Sequence, residues 1–147
     1  MRGFKGIERV WPAGELLLGV RFKGGDEALV DLEAWVGDSP SLQKLRDPTL
    51  FAKAHVHEWG WSIEWIPDEL DISGEQLWRM AGEQAGELMP LADFRDWRER
   101  HGLSIAAAGR ALGISRRMAS YYDSGRWPIP KTVMLACEGI DARHEAA

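Results

Sequence analysis

Residues 103–128 read LSIAAAGRALGISRRMASYYDSGRWP, and this stretch decides the fold of the second half of the chain. A serine precedes each of two runs with helical periodicity, at Ser104 and Ser115, where a helix N-cap is expected. Gly113 follows the first run and Gly125 follows the second, as glycine often does after a helix. The pattern predicts two helices joined by a three-residue turn: Ile105–Leu112 and Arg116–Ser124.

Two further helices are predicted on either side of this pair. Apolar residues recur at three- and four-residue steps over Leu91–Arg100, which predicts an amphipathic helix. Pro128 and Pro130 introduce the other, Lys131–Glu138, which we expect to end at Gly139. Together the four helices predict an all-α domain over residues 89–147 with a helix-turn-helix inside it.

The predicted helix over Arg116–Ser124 has one polar side. At about 100° per residue, five side chains share one arc: Arg116, Arg117, Ser120, Tyr121 and Ser124. Met118, Ala119 and Tyr122 fall opposite and are expected to pack inward. Two adjacent arginines in the first turn are typical of a helix that reads the major groove of DNA, because arginine can donate two hydrogen bonds to guanine.

The first half of the chain has a different pattern. Leu16, Leu18, Val20 and Phe22 alternate with other residues, which indicates a half-buried strand. The predicted strands are Ile7–Trp11, Leu16–Phe22, Glu27–Leu32, Lys53–Glu58 and Trp61–Ile66. The predicted turns and helical segments are Pro12–Gly14, Gly24–Asp26, Ser41–Arg46, Pro48–Ala52 and a helix capped by Ser73 with Gln76. We therefore expect an α+β protein, with a small antiparallel sheet and helix in residues 1–88.

Charge is unevenly distributed along the chain. Residues 1–88 hold 9 Lys+Arg against 16 Asp+Glu, a net charge of −7, and residues 89–147 hold 9 against 7, a net charge of +2. From Arg100 to Lys131 there are six basic residues and one acid, Asp123, a net charge of +5. The overall charge of −5 thus conceals a basic segment, which favours contact with nucleic acid.

No catalytic or metal-binding pattern stands out. His55 and His57 share a strand face and could point at a metal, but no third ligand is nearby in the sequence, so we expect no metal site. Trp59, Trp61 and Trp65 are expected to supply core, although a ligand-stacking cluster is the alternative. Cys137 lies among apolar residues and is expected to be buried. We expect neither an enzyme nor a bound cofactor.

Composition narrows the class of protein further. The chain is 45% hydrophobic and 28% charged, typical of a globular protein, and no apolar run reaches the roughly 18–20 residues that span a bilayer. The start has no apolar stretch of signal-peptide length. A single cysteine excludes an intrachain disulfide. We expect a cytoplasmic protein that does not bind membranes.

The first half resembles the bacterial family catalogued as domain of unknown function 2442, over about residues 5–83. The matching segments are Val20-Arg21-Phe22-x-Gly-Gly, Val30-Asp31-Leu32, Leu45-x-Asp47-Pro48-x-x-Phe51, Ile63-Glu64-Trp65-x-Pro67, Leu70-Asp71-Ile72 and Leu77-Trp78. The resemblance implies an α+β arrangement and no catalytic residue. Some relatives are encoded beside small toxin-like proteins, which implies a protein-binding role.

The second half resembles the phage-repressor-type helix-turn-helix family, over about residues 91–139. The matching segments are Leu103-Ser104, Leu112-Gly113-Ile114-Ser115-Arg116-Arg117, Tyr122-Asp123-x-Gly125-Arg126-x-Pro128 and Leu135-Ala136. The resemblance implies base-edge contacts from Arg116, Arg117, Ser120 and Tyr121. It implies phosphate or backbone contacts from Ser104, Arg126 and Lys131. Ile105 and Gly109 depart from the family, where glutamine and alanine are common.

These observations favour a sequence-specific DNA-binding transcriptional regulator, with repression as its expected mode. We expect a homodimer on double-stranded DNA, with half-sites about 34 Å apart. The alternative is an antitoxin-like protein-interaction module, in which the tryptophan-rich acidic half binds a small basic protein. The two functions can coexist in one chain.

Overall fold

The chain forms two compact units in the computed structural model, which describes residues 3–146. The first unit ends at Gln84 and the second begins at Ala85, whereas the sequence suggested a boundary at residue 88. The first unit mixes strands with helices and the second is mainly helical, so the protein has an α+β fold, as predicted.

The first unit contains two antiparallel three-stranded sheets, with strand orders β1-β2-β3 and β4-β5-β6, where one sheet was predicted. Its strands are β1 (Ile7–Gly14), β2 (Leu17–Phe22), β3 (Glu27–Asp31), β4 (His55–Val56), β5 (Ser62–Ile66) and β6 (Leu70–Ser73). Its helices are α1 (Glu33–Gly37), α2 (Pro48–Phe51) and α3 (Gly74–Gln84), with 3-10 segments at Pro40–Arg46 and Glu58–Gly60.

The alternating pattern around β2 and the cap of α3 are confirmed. Leu16, Leu18, Val20 and Phe22 are all buried. The backbone N–H of Gln76 donates to Ser73 Oγ at 3.1 Å, which is the expected N-cap bond. Helix α1 and strand β6 were not predicted, because elements of five and four residues show no clear period.

The first turn lies later in the chain than predicted. Pro12 and Gly14 belong to β1, and the chain reverses at residues 15–16, where Leu16 has a φ of +51°. Pro12 is tolerated because β1 lies at the edge of its sheet, beside a register shift between Pro12 and Gly14. Burial of the Leu16 side chain favours this turn despite its left-handed backbone.

Only one of the three clustered tryptophans contributes to the core. Trp65 is buried, and its Nε1–H donates to the Phe51 carbonyl at 3.1 Å. Trp59 and Trp61 are 73% and 58% exposed, so the prediction that they are core residues is wrong. Both precede β5 and lie outside the strands, where alternation does not turn a side chain inward.

The second unit holds four helices closed by a short antiparallel strand pair, which the sequence did not predict. Its elements are β7 (Leu88–Met89), α4 (Leu91–Arg100), α5 (Ile105–Leu112), α6 (Arg116–Asp123), β8 (Ile129–Pro130) and α7 (Lys131–Ala146). The core is built around Phe94, Trp97 and Tyr122, with Val133 and Cys137 from α7.

The predicted N-caps of α5 and α6 and the predicted end of α5 are confirmed, whereas α6 ends at Asp123, one residue earlier than predicted. Ser104 Oγ accepts the backbone N–H of Ala107, and Ser115 Oγ accepts that of Met118, each at 3.1 Å. Gly113 ends α5 with a φ of +73°, which glycine adopts without steric strain. These local bonds set where α5 and α6 begin and where α5 ends.

Helix α7 is longer than predicted, because it continues through Gly139 to Ala146. A helical glycine costs only about 1 kcal/mol. Ile140 packs against the core, and Asp141 Oδ1 lies 2.6 Å from His101 Nε2, so contacts beyond the glycine stabilise the extension. Neither α7 nor another helix within residues 3–146 has the length and apolar character needed to cross a bilayer.

One ion pair joins α4 to the end of α6. Arg98 Nε donates to Asp123 Oδ1 at 2.8 Å, and the two side chains are only 20% and 17% exposed. Arg98 Nη1 also donates to the Leu103 carbonyl at 3.0 Å. Arg98 therefore connects three segments of the second unit: the end of α4, the residue before the α5 cap, and the last residue of α6.

Replacing Arg98 with alanine is expected to lower the free energy of unfolding by about 1–3 kcal/mol, because a half-buried carboxylate loses its partner. Urea denaturation would measure the loss. Arg100→Ala is the matched control, since Arg100 lies on the same helix in exposed ion pairs. Equal stability losses in the two variants would contradict this role for Arg98.

Candidate nucleic-acid interface

Helix α6 buries one side and exposes the other. Ala119 and Tyr122 are buried, and the Tyr122 ring packs edge-on against Phe94. Three of the residues predicted to contact bases are exposed and the tyrosine is half-buried: Arg116, Arg117, Ser120 and Tyr121. Met118 is 37% exposed, so its predicted packing role is wrong. The exposed arc begins with two arginines in the first turn.

Close contact between α5 and the start of α6 fixes this first turn. Gly109 is buried, and a Cβ built on it would lie 3.0 Å from the Ile114 carbonyl oxygen and 3.4 Å from the Arg116 backbone nitrogen. The missing side chain lets α5 lie directly against the turn. The Gly109 carbonyl also accepts the Ile114 N–H at 2.9 Å.

The Tyr121 side chain brings two guanidinium groups together. Arg117 Nε donates to Tyr121 Oη at 2.7 Å, and the Arg117 guanidinium lies 5.4 Å from the ring centroid. The Arg126 guanidinium lies 4.7 Å from the same centroid. Both distances are within the range of cation–π attraction. The half-buried Tyr121 side chain therefore restrains the side chains of Arg117 and Arg126.

Trp127 lies beside this pair and was not singled out from the sequence. Its ring centroid is 6.3 Å from that of Tyr121, its backbone N–H donates to the Tyr121 carbonyl at 3.3 Å, and it is 51% exposed. Its position in the most basic segment of the chain could have identified it as a candidate contact residue from the sequence. We refer to Arg117, Tyr121, Arg126 and Trp127 as the arginine–aromatic cluster.

The remaining predicted contact residues lie at the starts of other helices. Ser104 is exposed at the N-terminus of α5, and its hydroxyl can still donate a hydrogen bond while Oγ accepts from Ala107. Lys131 begins α7 with its Nζ 3.9 Å from Glu87 Oε1, so its charge is partly compensated.

The one acidic residue of α6 is engaged by an arginine of α4. Asp123 is the one acidic residue between Arg100 and Lys131 in the sequence. Its carboxylate is engaged by Arg98 and is only 17% exposed. The positive charge of Arg116 and Arg117 is therefore not cancelled by this carboxylate, and the arc is suited to an anionic partner.

By residue type, the histidine pair and the cysteine are candidates for metal binding or catalysis. His55 and His57 both face the nearly buried Glu64, with Nε2–oxygen distances of 3.3 and 3.4 Å. Glu64 was not singled out from the sequence; it lies opposite His55 in the β4–β5 register. No cluster suited to holding a metal occurs in the part of the chain that the structure describes. Burial raises the pKa of Cys137 to about 12, so its thiol is a poor nucleophile.

Tyr121→Phe is expected to loosen Arg117 and to leave Arg126 unchanged, because the substitution removes the hydrogen bond from Arg117 Nε to Tyr121 Oη and keeps the ring beside both guanidinium groups. NMR of arginine Nε–H groups would show faster solvent exchange at Arg117 alone. Tyr122→Phe is the matched control, since Tyr122 is the neighbouring tyrosine and is buried. Unchanged exchange at Arg117 in Tyr121→Phe would contradict the supporting role of Tyr121.

The chain is similar to a protein of known structure. The crystal structure of NE0471 from Nitrosomonas europaea ATCC 19718, described as a "putative DNA binding protein", aligns with a TM-score of 0.59 and 35% sequence identity. The alignment covers 97% of this chain and 91% of NE0471. No family model and no curated protein matches significantly, so the two resemblances to named families stay predictions. The chain belongs to the same protein family as NE0471.

Proposed function

We propose that this protein is a sequence-specific DNA-binding regulator in which α6 enters the major groove. The observation that carries the proposal is the exposed arc of α6, with Arg116 and Arg117 in its first turn and the one acid of the helix, Asp123, paired with Arg98. The description of NE0471 as a putative DNA-binding protein supports the same function.

The dimensions of α6 suit this role. An α-helix with its side chains is about 10–12 Å in diameter, which fits the major-groove width of about 12 Å. Helices α5 and α6, with the turn between them, would act as a helix-turn-helix, in which the first turn of the second helix approaches base edges. Arg116 and Arg117 would pair with guanine O6 and N7.

Phosphate contacts would fix the position of α6 on the duplex. The N-terminus of α5 offers backbone amides and the Ser104 hydroxyl to a phosphate. Arg126 and Lys131 would add charge contacts on either side of β8, in the segment with a net charge of +5. Such contacts release counterions, so affinity should fall steeply as salt rises.

The proposal extends to the assembly and the setting of the protein. We expect a homodimer, because a single unit of this size contacts few base pairs and a two-fold pair of α6 helices would read two half-sites. The first unit would supply dimerisation, sensing or partner binding. The protein would act in the cytoplasm without an enzymatic activity.

A second candidate function, capture of a small basic protein, is favoured by the surface of the first unit. Trp59 and Trp61 are largely exposed there, and Trp59 has a φ of +74°, a strained conformation for a residue other than glycine. Lys23 Nζ donates to the Trp59 carbonyl at 3.2 Å and helps to hold this conformation. The acidic charge of the first half would attract a basic partner.

The first candidate is tested by selecting bound sites from random duplex DNA. A recurrent site with two-fold symmetry is expected. Arg116→Ala and Arg117→Ala should each weaken binding by about 1–3 kcal/mol and relax the preference at one base pair. Arg143→Ala, which removes an exposed charge from α7, is the control. The proposal fails if both α6 variants bind the selected site as the wild type does.

The second candidate is tested by co-purification from the native host, followed by reconstitution of the complex from purified components. A stoichiometric basic partner is expected, with at least a tenfold loss of affinity on combining Trp59→Ala with Trp61→Ala. Leu29→Ala removes another exposed apolar side chain and is the matched control. Undiminished affinity of the double variant would exclude the tryptophan surface as the binding site.

A further inference from the structure

Trp127 is an exposed aromatic side chain in a fixed position. Its backbone N–H is bonded to the Tyr121 carbonyl, its ring lies against the Tyr121 ring, and Pro128 restricts the backbone on its other side. Half of its surface nevertheless faces solvent. A ring held in this way loses little conformational freedom when a partner covers it, which favours binding.

The surroundings of Trp127 restrict the chemistry of that partner. The Tyr121 ring that Trp127 contacts also carries the guanidinium groups of Arg117 and Arg126. A partner must therefore bring negative charge together with an apolar group for the indole. Duplex DNA offers both, because phosphates supply the charge and the thymine 5-methyl is the apolar group on the major-groove edges of the bases.

The position of Trp127 relative to α6 separates its contact from that of Arg116. Trp127 follows the C-terminal end of α6, whereas Arg116 and Arg117 form its first turn. Trp127 lies beside Tyr121, which is five residues after Arg116, a rise of about 7.5 Å along the helix, or roughly two base-pair steps of 3.4 Å. The indole would therefore meet a different base pair from the one that Arg116 reads.

We propose that Trp127 packs against the 5-methyl group of a thymine in the major groove, and that the protein thereby prefers thymine at that position. This inference rests on the proposed DNA-binding function and adds a base contact to it. Arg126 would hold the adjacent phosphate backbone while the indole covers the methyl group, and Arg117 would keep its proposed base contact. Tyr121 would act as a positioning residue for both arginines and the indole.

The test compares thymine with uracil, which lacks only the 5-methyl group. A duplex pool selected by the wild-type protein is amplified once with dTTP and once with dUTP. One contacted methyl predicts about a fourfold loss of affinity on the uracil pool. Trp127→Ala should bind the thymine pool about fourfold more weakly than the wild type. Because it lacks the indole, it should not show the fourfold difference in affinity between the thymine and uracil pools that this contact gives the wild type.

Two variants complete the comparison. Trp127→Gln keeps a long side chain but removes the apolar ring, and it should likewise lose the affinity difference between the thymine and uracil pools. With two variants, the test does not depend on the folding of either one. Trp61→Ala, which removes an exposed tryptophan of the first unit, should retain the wild-type loss on uracil DNA. Circular dichroism would verify the fold of each protein.

The outcomes distinguish this inference from the proposed function. Failure of the wild-type protein to select any duplex overturns both. Selection of a site with equal affinity for thymine and uracil pools overturns the thymine contact and leaves DNA binding intact. Equal methyl dependence in the wild type and both Trp127 variants also overturns it, because another residue would then contact the methyl group.

Discussion

The half-buried ion pair between Arg98 and Asp123 is the contact on which the proposed interface depends. Removing two charges from water is unfavourable, and an ion pair offsets this only with good geometry and further hydrogen bonds. Here the 2.8 Å contact is supplemented by the bond from Arg98 to the Leu103 carbonyl. The pair anchors the end of α6 and also withdraws its carboxylate from the exposed arc. The same ion pair therefore stabilises the second unit and leaves the exposed arc of α6 positively charged.

Tyr121 gives the basic surface a defined shape. A free arginine side chain has about 2 kcal/mol of rotamer entropy to lose when it is fixed. Arg117 and Arg126 are already restrained by one ring, so less of this entropy would be lost on binding. The same arrangement places two like charges close together, and their repulsion is relieved by an anion. A polyanion thus suits this surface better than a neutral partner does.

Local signals allowed much of the second unit to be predicted. Ser104, Ser115 and Gly113 act through bonds to residues three or four positions away, so sequence spacing alone locates the helix ends. The strand pair β7–β8 and the C-terminal half of α7 depend on contacts between distant segments, which spacing does not reveal. Periodicity indicated the buried side of α6 at Ala119 and Tyr122.

The first unit was less predictable because its elements are short and its contacts are long-range. Alternation identified β2, but it also placed Trp61 in the core, although the strand begins only at Ser62. Glu64 meets His55 through strand register and not through sequence proximity. At the candidate interface, Arg116 and Arg117 followed from the helix pattern, whereas Trp127 required the three-dimensional contact with Tyr121.

The central claim, that the first turn of α6 approaches guanine in the major groove, is tested most directly by methylation interference on a selected duplex. Methylation of guanine N7 blocks the atom that an arginine would contact, without altering the minor groove. The account predicts that N7-methylated guanines at specific positions are excluded from DNA bound by the wild-type protein, and that Arg116→Ala or Arg117→Ala removes one such exclusion. Binding that tolerates N7 methylation at every guanine, or that is blocked only by methylation in the minor groove, would contradict it.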